Sequence, residues 1–101
     1  MTLEKDPTIL RFLERLNPNE HGWVVVDHWD ADLLAVGIGA VGDPRCLVYV
    51  STFTTGIGRY DYACERPVGP HPSQYETVGE GTSVDFETLV NVIATHLNQC
   101  S

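Results

Sequence analysis

Basic residues are scarce in this chain of 101 residues, which has 6 lysines and arginines against 14 aspartates and glutamates. The formal net charge is therefore −8. Binding of DNA, RNA or anionic lipid depends on lysine and arginine side chains that neutralise phosphates and displace their counterions. The charge balance argues against nucleic-acid and membrane partners. It favours encounter with a basic protein, and the alternative is that the acidity serves only solubility.

Long apolar segments are also missing. The apolar stretch at residues 33–42 contains three glycines and is about half the length that crosses a bilayer. Residues 1–6 lack the basic and apolar regions of a secretory signal. A cytoplasmic protein without a membrane-spanning helix is expected.

Cysteine is the third scarce residue. The chain has three cysteines, an odd number, and they are far apart in the sequence. Such spacing does not predict a disulfide framework and agrees with a reducing compartment. We expect Cys46 and Cys64 to lie in the core as small hydrophobic residues.

Two segments near the ends of the chain have the pattern of amphipathic helices. In the first, Asp6 can cap the N-terminus, Pro7 suits the first helical position, and Asn17 marks the end. The second is predicted to begin near Asp85 and to carry an apolar stripe over residues 86–97. Each helix has one apolar face and needs a sheet to pack on.

The segments between the helices are rich in β-forming residues and are broken by short polar turns. Because helices are predicted only near the two ends, no crossover connections are expected, and the sheet should be mostly antiparallel. The chain is thus predicted to form one α+β domain over residues 1–101: a helix, a meander of four to five strands, and a helix, with both helices on one face. The predicted strands are residues 23–29, 33–40, 46–53, 59–65 and a short edge strand at 75–78.

Alternation along the strands assigns their residues to two faces. The face toward the helices is predicted to contain Val24, Val26, Leu34, Val36, Ile38, Val48, Val50, Tyr60 and Tyr62. The opposite face is then predicted to carry Trp23, Asp27, Trp29, Tyr49, Phe53, Arg59 and Asp61, beside the small residues Ala35, Gly37 and Gly39. Two helices cover only one face, so the other is expected to be an open aromatic and acidic surface suited to a partner. The alternative is that Trp23 and Trp29 cap the edges of the core or contact the proline-rich segment 66–73.

Several motifs of chemical interest have simpler structural explanations. Residues 37–42 match the spacing of a dinucleotide-binding loop, but Asp43 and Pro44 follow where a helix would have to begin. The segment 27–32 holds imidazole and carboxylate groups of the kind that bind metals, yet it also has the composition of a solvated acidic turn. No serine or cysteine lies in a recognisable nucleophile motif. We therefore predict no catalytic residue, no cofactor and no metal. The motifs favour a protein that is not an enzyme, but they leave an enzyme open.

The run Trp-Val-Val-Val-Asp-His-Trp-Asp-Ala-Asp at residues 23–32, in a small acidic domain with helices at both ends of an antiparallel meander, resembles small bacterial immunity proteins of polymorphic or contact-dependent toxin systems. The resemblance implies binding and inhibition of a cognate toxin, often a basic nuclease, through carboxylates and aromatic side chains. It assigns no individual residue. The candidate partner-binding residues come from the face assignment alone: Trp23, Asp27, Trp29, Tyr49, Phe53, Arg59 and Asp61.

Two other functions stay open. A small enzyme or ligand-binding domain could use a pocket between the proline-rich segment 66–73 and the sheet, which would gather His28, Tyr60, Asp61 or His71. Alternatively, the open face could join two copies of the chain in a homodimer.

Overall fold

The computed structural model describes residues 5–26, 33–42, 45–52, 58–71 and 74–100. Within them five strands lie in the sheet in the order in which they occur in the chain, and every pairing is antiparallel. The predicted α+β fold, a meander between two helices, is confirmed. Its elements are α1 (Pro7–Leu16), a 3₁₀ turn (Pro18–His21), β1 (Trp23–Val26), β2 (Ala35–Ala40), β3 (Leu47–Ser51), β4 (Tyr60–Pro67), β5 (Tyr75–Val84) and α2 (Phe86–Cys100).

The helix ends form at the predicted capping residues. The carboxylate of Asp6 accepts hydrogen bonds from the backbone N–H of Thr8 at 2.9 Å and from its hydroxyl at 2.6 Å. Asn17, with a φ of 49°, ends α1 in the left-handed conformation. At α2, the carboxylate of Asp85 accepts from the N–H of Thr88 at 2.8 Å. Both carboxylates satisfy N–H groups that have no partner inside their helix.

The two caps predict how stability responds to acid. Hydrogen bonds from Thr8 lower the pKa of Asp6, and hydrogen bonds from Thr88 lower the pKa of Asp85. A carboxyl whose pKa is lower in the folded chain stabilises it above the unfolded pKa of about 3.9, and this contribution is lost as the pH falls through the folded pKa. The double variant Asp6→Asn, Asp85→Asn keeps an acceptor oxygen at each cap but cannot titrate. Its urea midpoint should therefore fall less steeply between about pH 5 and pH 2 than that of the wild type.

A matched control for this experiment is Glu14→Gln, which removes one exposed carboxylate from α1 without touching a cap. This variant should keep the wild-type acid dependence. An unchanged slope in the double variant would contradict the role given to the caps.

Both helices bury their apolar stripes on the same side of the sheet. The fully buried residues of the middle strands, Val36, Ile38, Val48 and Val50, belong to the same cluster as the buried residues of both helices. The prediction that the two helices share one face is therefore confirmed. The helices contribute Ile9, Phe12 and Leu16 from α1, and Leu89, Ile93 and Leu97 from α2.

Three aromatic rings join α1, β4 and α2 within this core. The ring centroid of Phe12 lies 5.1 Å from that of Tyr60 and 6.2 Å from that of Phe86. The rings of Tyr60 and Phe86 are 6.4 Å apart, and the guanidinium carbon of Arg15 lies 4.0 Å from the Phe86 centroid. Tilted and edge-on contacts at these separations are favourable beyond the area that they bury. Phe12 is thus the contact through which α1 is held to both neighbours.

The predicted phase of β1 is wrong by one residue. Trp23 lies directly opposite Ala40, and Val25 lies opposite Ile38. Directly opposite residues in an antiparallel pair share a face, and Ile38 is in the core. Trp23 is therefore on the helix side, where it packs against the core and stacks on His21 with 4.3 Å between ring centroids. The run Trp-Val-Val-Val has no polar residue to mark the alternation, so pairing with β2 decides which residues face the helices.

The last strand is longer than predicted. β5 extends through Tyr75–Val84, whereas the sequence indicated only residues 75–78. Its pairing with β4 shifts register at two places, between Tyr60 and Tyr62 and between Cys64 and Glu65. The glycines in its second half weaken the strand signal, because glycine has low β-propensity and often marks such irregularities.

Two cysteines have different chemical states. Cys64 is buried and free, and burial raises the pKa of its thiol, as expected for an inert core cysteine. Cys46 is fully buried as well, but it is disulfide-bonded. The expectation of a buried small residue is confirmed for both, whereas the expectation that Cys46 forms no disulfide is wrong.

Candidate functional site

The face of the sheet opposite the helices, here called the far face, is built from residues that pair across the strands. One row crosses the whole sheet and consists of Val26, Gly37, Tyr49, Ala63 and Glu80. Because directly opposite residues share a face, these five positions lie side by side. Tyr49 is the one large aromatic residue of the row, and it stands between two small neighbours.

Over β2 the far face is closed. Gly37 and Gly39 are buried, and Ala35 is completely buried. The larger side chains paired with the glycines flank them on both sides, and Leu47, opposite Gly39, is itself buried. The expected open trough beside the glycines is therefore not present among the described residues.

Toward β4 and β5 the same face opens into a hollow of about 360 Å³, here called the far-face hollow. It forms because Ala63 is small and lies between the longer side chains of Tyr49 and Glu80. The residues lining the hollow are Tyr49, Asp61, Tyr62, Ala63, Glu80, Gly81 and Thr82.

The far-face hollow is acidic. Two carboxylates, from Asp61 and Glu80, line it, and the lining includes no basic residue. The Oδ1 atom of Asp61 accepts a hydrogen bond from the N–H of Ser83 at 3.0 Å. This bond holds Asp61 in place and supports Ser83, whose φ of 52° is unusual for a residue other than glycine. The hollow thus presents a phenol ring beside two negative charges, one of them positioned by the backbone.

The structure places the predicted partner-binding residues in different parts of the fold. Tyr49 and Asp61 are brought together in the far-face hollow. Trp23 lies on the helix side instead. Arg59 is exposed just before β4. The pKa of Asp85 is lowered mainly by hydrogen bonds from Thr88, and the charge of Arg59 lowers it by a smaller amount. Three predicted residues lie outside the described residues: Asp27, Trp29 and Phe53.

Sequence reasoning missed the contribution of β5 to the site. Glu80 and Thr82 line the hollow, but they follow the point at which the predicted edge strand ended. The alternation from Val78 to Thr82 is interrupted by two glycines, so no apolar period could reveal the strand. Charge was the available signal, because Glu80 is an acidic residue between glycines in a chain with few basic residues.

The alternative pocket beside the proline-rich segment is not assembled as predicted. Tyr60 is buried in the core, while its neighbour Asp61 lies on the far face. His71 is in an exposed turn, where the guanidinium of Arg45 donates hydrogen bonds to the carbonyl oxygens of Gly69 and His71. The fourth candidate, His28, lies outside the described residues. A hollow of about 390 Å³ does border Pro67, but none of the three described candidates, Tyr60, Asp61 and His71, lines it.

Two features of the described residues bear on chemistry: possible metal-ligand clusters and the buried histidine. No three histidine, cysteine, aspartate or glutamate residues in the described ranges are placed to hold a metal ion. The buried imidazole of His96 is engaged in a structural bond, with Nε2 lying 2.7 Å from the carbonyl oxygen of Glu65. A carbonyl oxygen only accepts, so this nitrogen is the donor in the bond.

Two further findings bear on function. Neither of the described helices combines the length and apolar character needed to cross a membrane. Comparison with known protein families, curated proteins and solved structures finds no match to this chain. Function is therefore argued from the geometry and charge of the site.

Proposed function

We propose that this chain is an acidic, non-catalytic protein-binding domain of the immunity-protein kind, which binds a basic partner such as a toxin and blocks it. The observation that carries the proposal is the far-face hollow, in which Tyr49 lies beside the carboxylates of Asp61 and Glu80. The net charge of −8 supports a cationic partner, because a strong field of one sign accelerates encounter with the opposite sign.

The two kinds of side chain in the hollow would act at different stages of binding. Carboxylates at the rim attract the partner and mainly raise the association rate. A tyrosine that becomes buried on docking contributes a large contact area at low cost in side-chain entropy, and tyrosine is enriched among the residues that dominate binding energy. Inhibition would then follow from occlusion of the partner's own surface.

The experiment is co-expression of the chain with the products of the reading frames that flank its gene. We expect one basic product to be toxic when expressed alone, tolerated when expressed with this chain, and bound to it during size-exclusion chromatography. If no flanking product is both toxic alone and neutralised by the chain, the proposal is rejected.

Variants of the hollow test the same proposal at single residues. Tyr49→Ala should weaken binding of the neutralised product about 30-fold, the equivalent of roughly 2 kcal/mol for a central tyrosine. Glu80→Lys should lower the association rate and reduce its dependence on salt. The matched control is Glu14→Lys, which makes the same charge change on the exposed side of α1 and should alter the rate far less. Equal effects of Glu80→Lys and Glu14→Lys would show that net charge, and not the hollow, governs capture.

Asp27, Trp29 and Phe53 belong to the proposed interface on the basis of the sequence alone. Asp27→Lys and Trp29→Ala are expected to weaken capture of the same product while leaving the circular dichroism spectrum unchanged. Wild-type capture by both variants would remove the segment 27–32 from the interface.

A cytoplasmic location is part of the proposal and is supported by the few cysteines of the chain, which agree with a reducing compartment. The disulfide at Cys46 is the feature that opposes it, because disulfides are rare in reducing compartments. Alkylation of thiols in intact cells, followed by mass spectrometry, distinguishes the two cases: a cytoplasmic protein should carry an alkylated Cys46.

A further inference from the structure

Among the residues that the structure describes, β5 forms one edge of the five-stranded order and is paired along one side, with β4. It has 10 residues, whereas β1, at the other edge, has four described residues. Eight residues of β5 are exposed: residues 75–80, Thr82 and Ser83. A long exposed edge offers a row of backbone N–H and C=O groups on which another strand can pair.

A groove lies along the helix side of this edge, between β5 and α2. It measures about 420 Å³, and its strand side is formed by Cys64, Val78 and Gly79. Gly79 leaves the space open, since a Cβ atom added there would meet no atom within 4 Å. On α2 the groove is lined by Val92 and by the polar residues Thr88, Asn91, Thr95, His96 and Gln99.

The groove continues toward the start of β5. A second hollow, of about 390 Å³, shares Val78, His96 and Gln99 with the first and extends to Arg66 and Pro67. Val78 is 47% exposed although it is apolar. The edge strand therefore has apolar surface beside it as well as free pairing positions, which a bound strand would cover together.

We propose that the β5 edge binds an extended peptide segment with alternating apolar and basic residues, by adding it to the sheet as a sixth strand. Successive side chains of an added strand point to opposite faces. One set would enter the groove beside Val78 and Gly79, and the other would lie on the far face beside Glu80. Backbone pairing supplies affinity in such complexes, and the side-chain pockets supply specificity. This surface meets the far-face hollow at Glu80, but its groove and its pairing edge lie outside the hollow, and the inference does not depend on the proposed function.

Charge decides between this occupant and a second copy of the chain. The charged residues of β5 are Glu76 and Glu80, and no basic residue lies on the strand. Glu76 lies on the helix side, where it forms an ion pair with Arg66 of β4 at 2.6 Å. Glu80 lies on the far face, in a hollow whose lining includes no basic residue. Each copy also carries a net charge of −8. Two copies therefore repel each other, whereas a basic segment meets complementary charge at Glu80.

The probe for this proposal is a fluorescein-labelled peptide, Lys-Val-Lys-Leu-Lys-Val-Lys, and binding is followed by fluorescence anisotropy. A scrambled peptide of the same composition, Lys-Lys-Val-Leu-Val-Lys-Lys, keeps the charge but loses the alternation. We expect the alternating peptide to bind about tenfold more tightly or better, because its apolar side chains enter the groove together. Equal binding of the two peptides would overturn the proposal in favour of charge attraction alone.

Backbone pairing is tested by N-methylation of the peptide. One peptide is methylated on its lysine nitrogens and the other on its valine and leucine nitrogens. In an added edge strand only alternate N–H groups face the neighbouring strand, so one methylated peptide should lose binding and the other should keep it. Loss with both peptides, or with neither, would contradict strand addition.

The groove is tested by Gly79→Leu, which fills it from the strand side. The open space around this glycine allows the variant to fold, and circular dichroism would verify this. We expect at least tenfold weaker peptide binding, whereas Gly42→Leu, made at another glycine with open space around it, should bind as the wild type does. Wild-type binding by Gly79→Leu would remove the groove from the site.

Two further measurements distinguish this proposal from the far-face proposal and from dimerisation through β5. Tyr49→Ala should leave peptide binding unchanged, so failure of the far-face proposal and failure of this one can be told apart. Sedimentation equilibrium of the wild type should show a monomer. A dimer that Gly79→Leu abolishes would identify a second copy as the occupant and overturn the choice of a basic segment.

Discussion

Phe12→Ala is expected to lower the free energy of unfolding by about 3–5 kcal/mol, the usual cost of removing a buried phenylalanine ring. Phe12 is 1% exposed and contacts Tyr60 and Phe86, so the substitution removes the ring that connects α1 to both β4 and α2. Domains of this size are stabilised by only about 5–15 kcal/mol. The melting temperature should therefore fall by about 15 °C or more, as measured by circular dichroism or calorimetry.

The matched control for this prediction is Leu10→Ala on the same helix. Leu10 is 38% exposed, so its removal should cost about 1 kcal/mol or less. Similar losses for the two variants would mean that α1 does not pack through the face that the structure assigns to it.

Val48→Asp is expected to prevent folding at neutral pH. Val48 is completely buried in the middle strand and lies between Ile38 and Cys64 on the helix side. An aspartate there would be a charge without a partner in the core, and its desolvation costs several kcal/mol in addition to the lost packing. This loss is comparable to the whole stability of a small domain, so far-UV circular dichroism and proteolysis should both report an unfolded chain.

The pH dependence of the same variant gives a second, independent readout. Burial raises the pKa of a carboxyl, so the folded form of Val48→Asp binds a proton more readily than the unfolded form. Its stability should rise as the pH is lowered from about 8 to about 5.5, a range in which the capping carboxylates stay ionised. The control is Val25→Asp, in the same row of the sheet but 41% exposed, which should fold at both pH values. Folding of Val48→Asp at neutral pH would contradict its buried position.

Local signals were sufficient for the two helices. Asp6, Pro7 and Asn17 mark the ends of α1, and Asp85 caps α2, because capping depends on side chains within a few residues of the helix end. The antiparallel meander was also predictable, since helices near the two ends leave no crossover connections between the strands. These features depend on neighbours in sequence, and the structure confirms them.

The faces of the strands were predictable only where polar and apolar residues alternate. On β3, alternation placed Val48 and Val50 in the core and Tyr49 on the far face, and the register agrees. On β1 the consecutive apolar residues left the phase undetermined, and Trp23 was assigned to the wrong face. A shift of one residue moves every side chain of a strand to the other face, so a local ambiguity became an error in the predicted site.

The far-face hollow depends on contacts between residues distant in sequence. Tyr49, Asp61 and Glu80 belong to three different strands, and the hollow exists because the register places Ala63 between Tyr49 and Glu80. The sequence predicted that Tyr49 and Asp61 share a face, but its apolar pattern did not indicate Glu80, since the two glycines beside it interrupt the alternation of β5. The groove beside Gly79 also depends on residues distant in sequence. The glycine leaves a groove there because α2 forms the opposite wall.

The amino-acid sequence by itself determined the acidic charge, the positions of both helices and the order of the strands, because each of these follows from composition or from residues close together in the chain. Only the tertiary structure decided the phase of β1, the length of β5, the disulfide state of Cys46 and the shape of the two binding surfaces. The physical reason is that strand pairing is selected by contacts across the sheet, where residues far apart in the chain compete for the same hydrogen bonds and the same core volume.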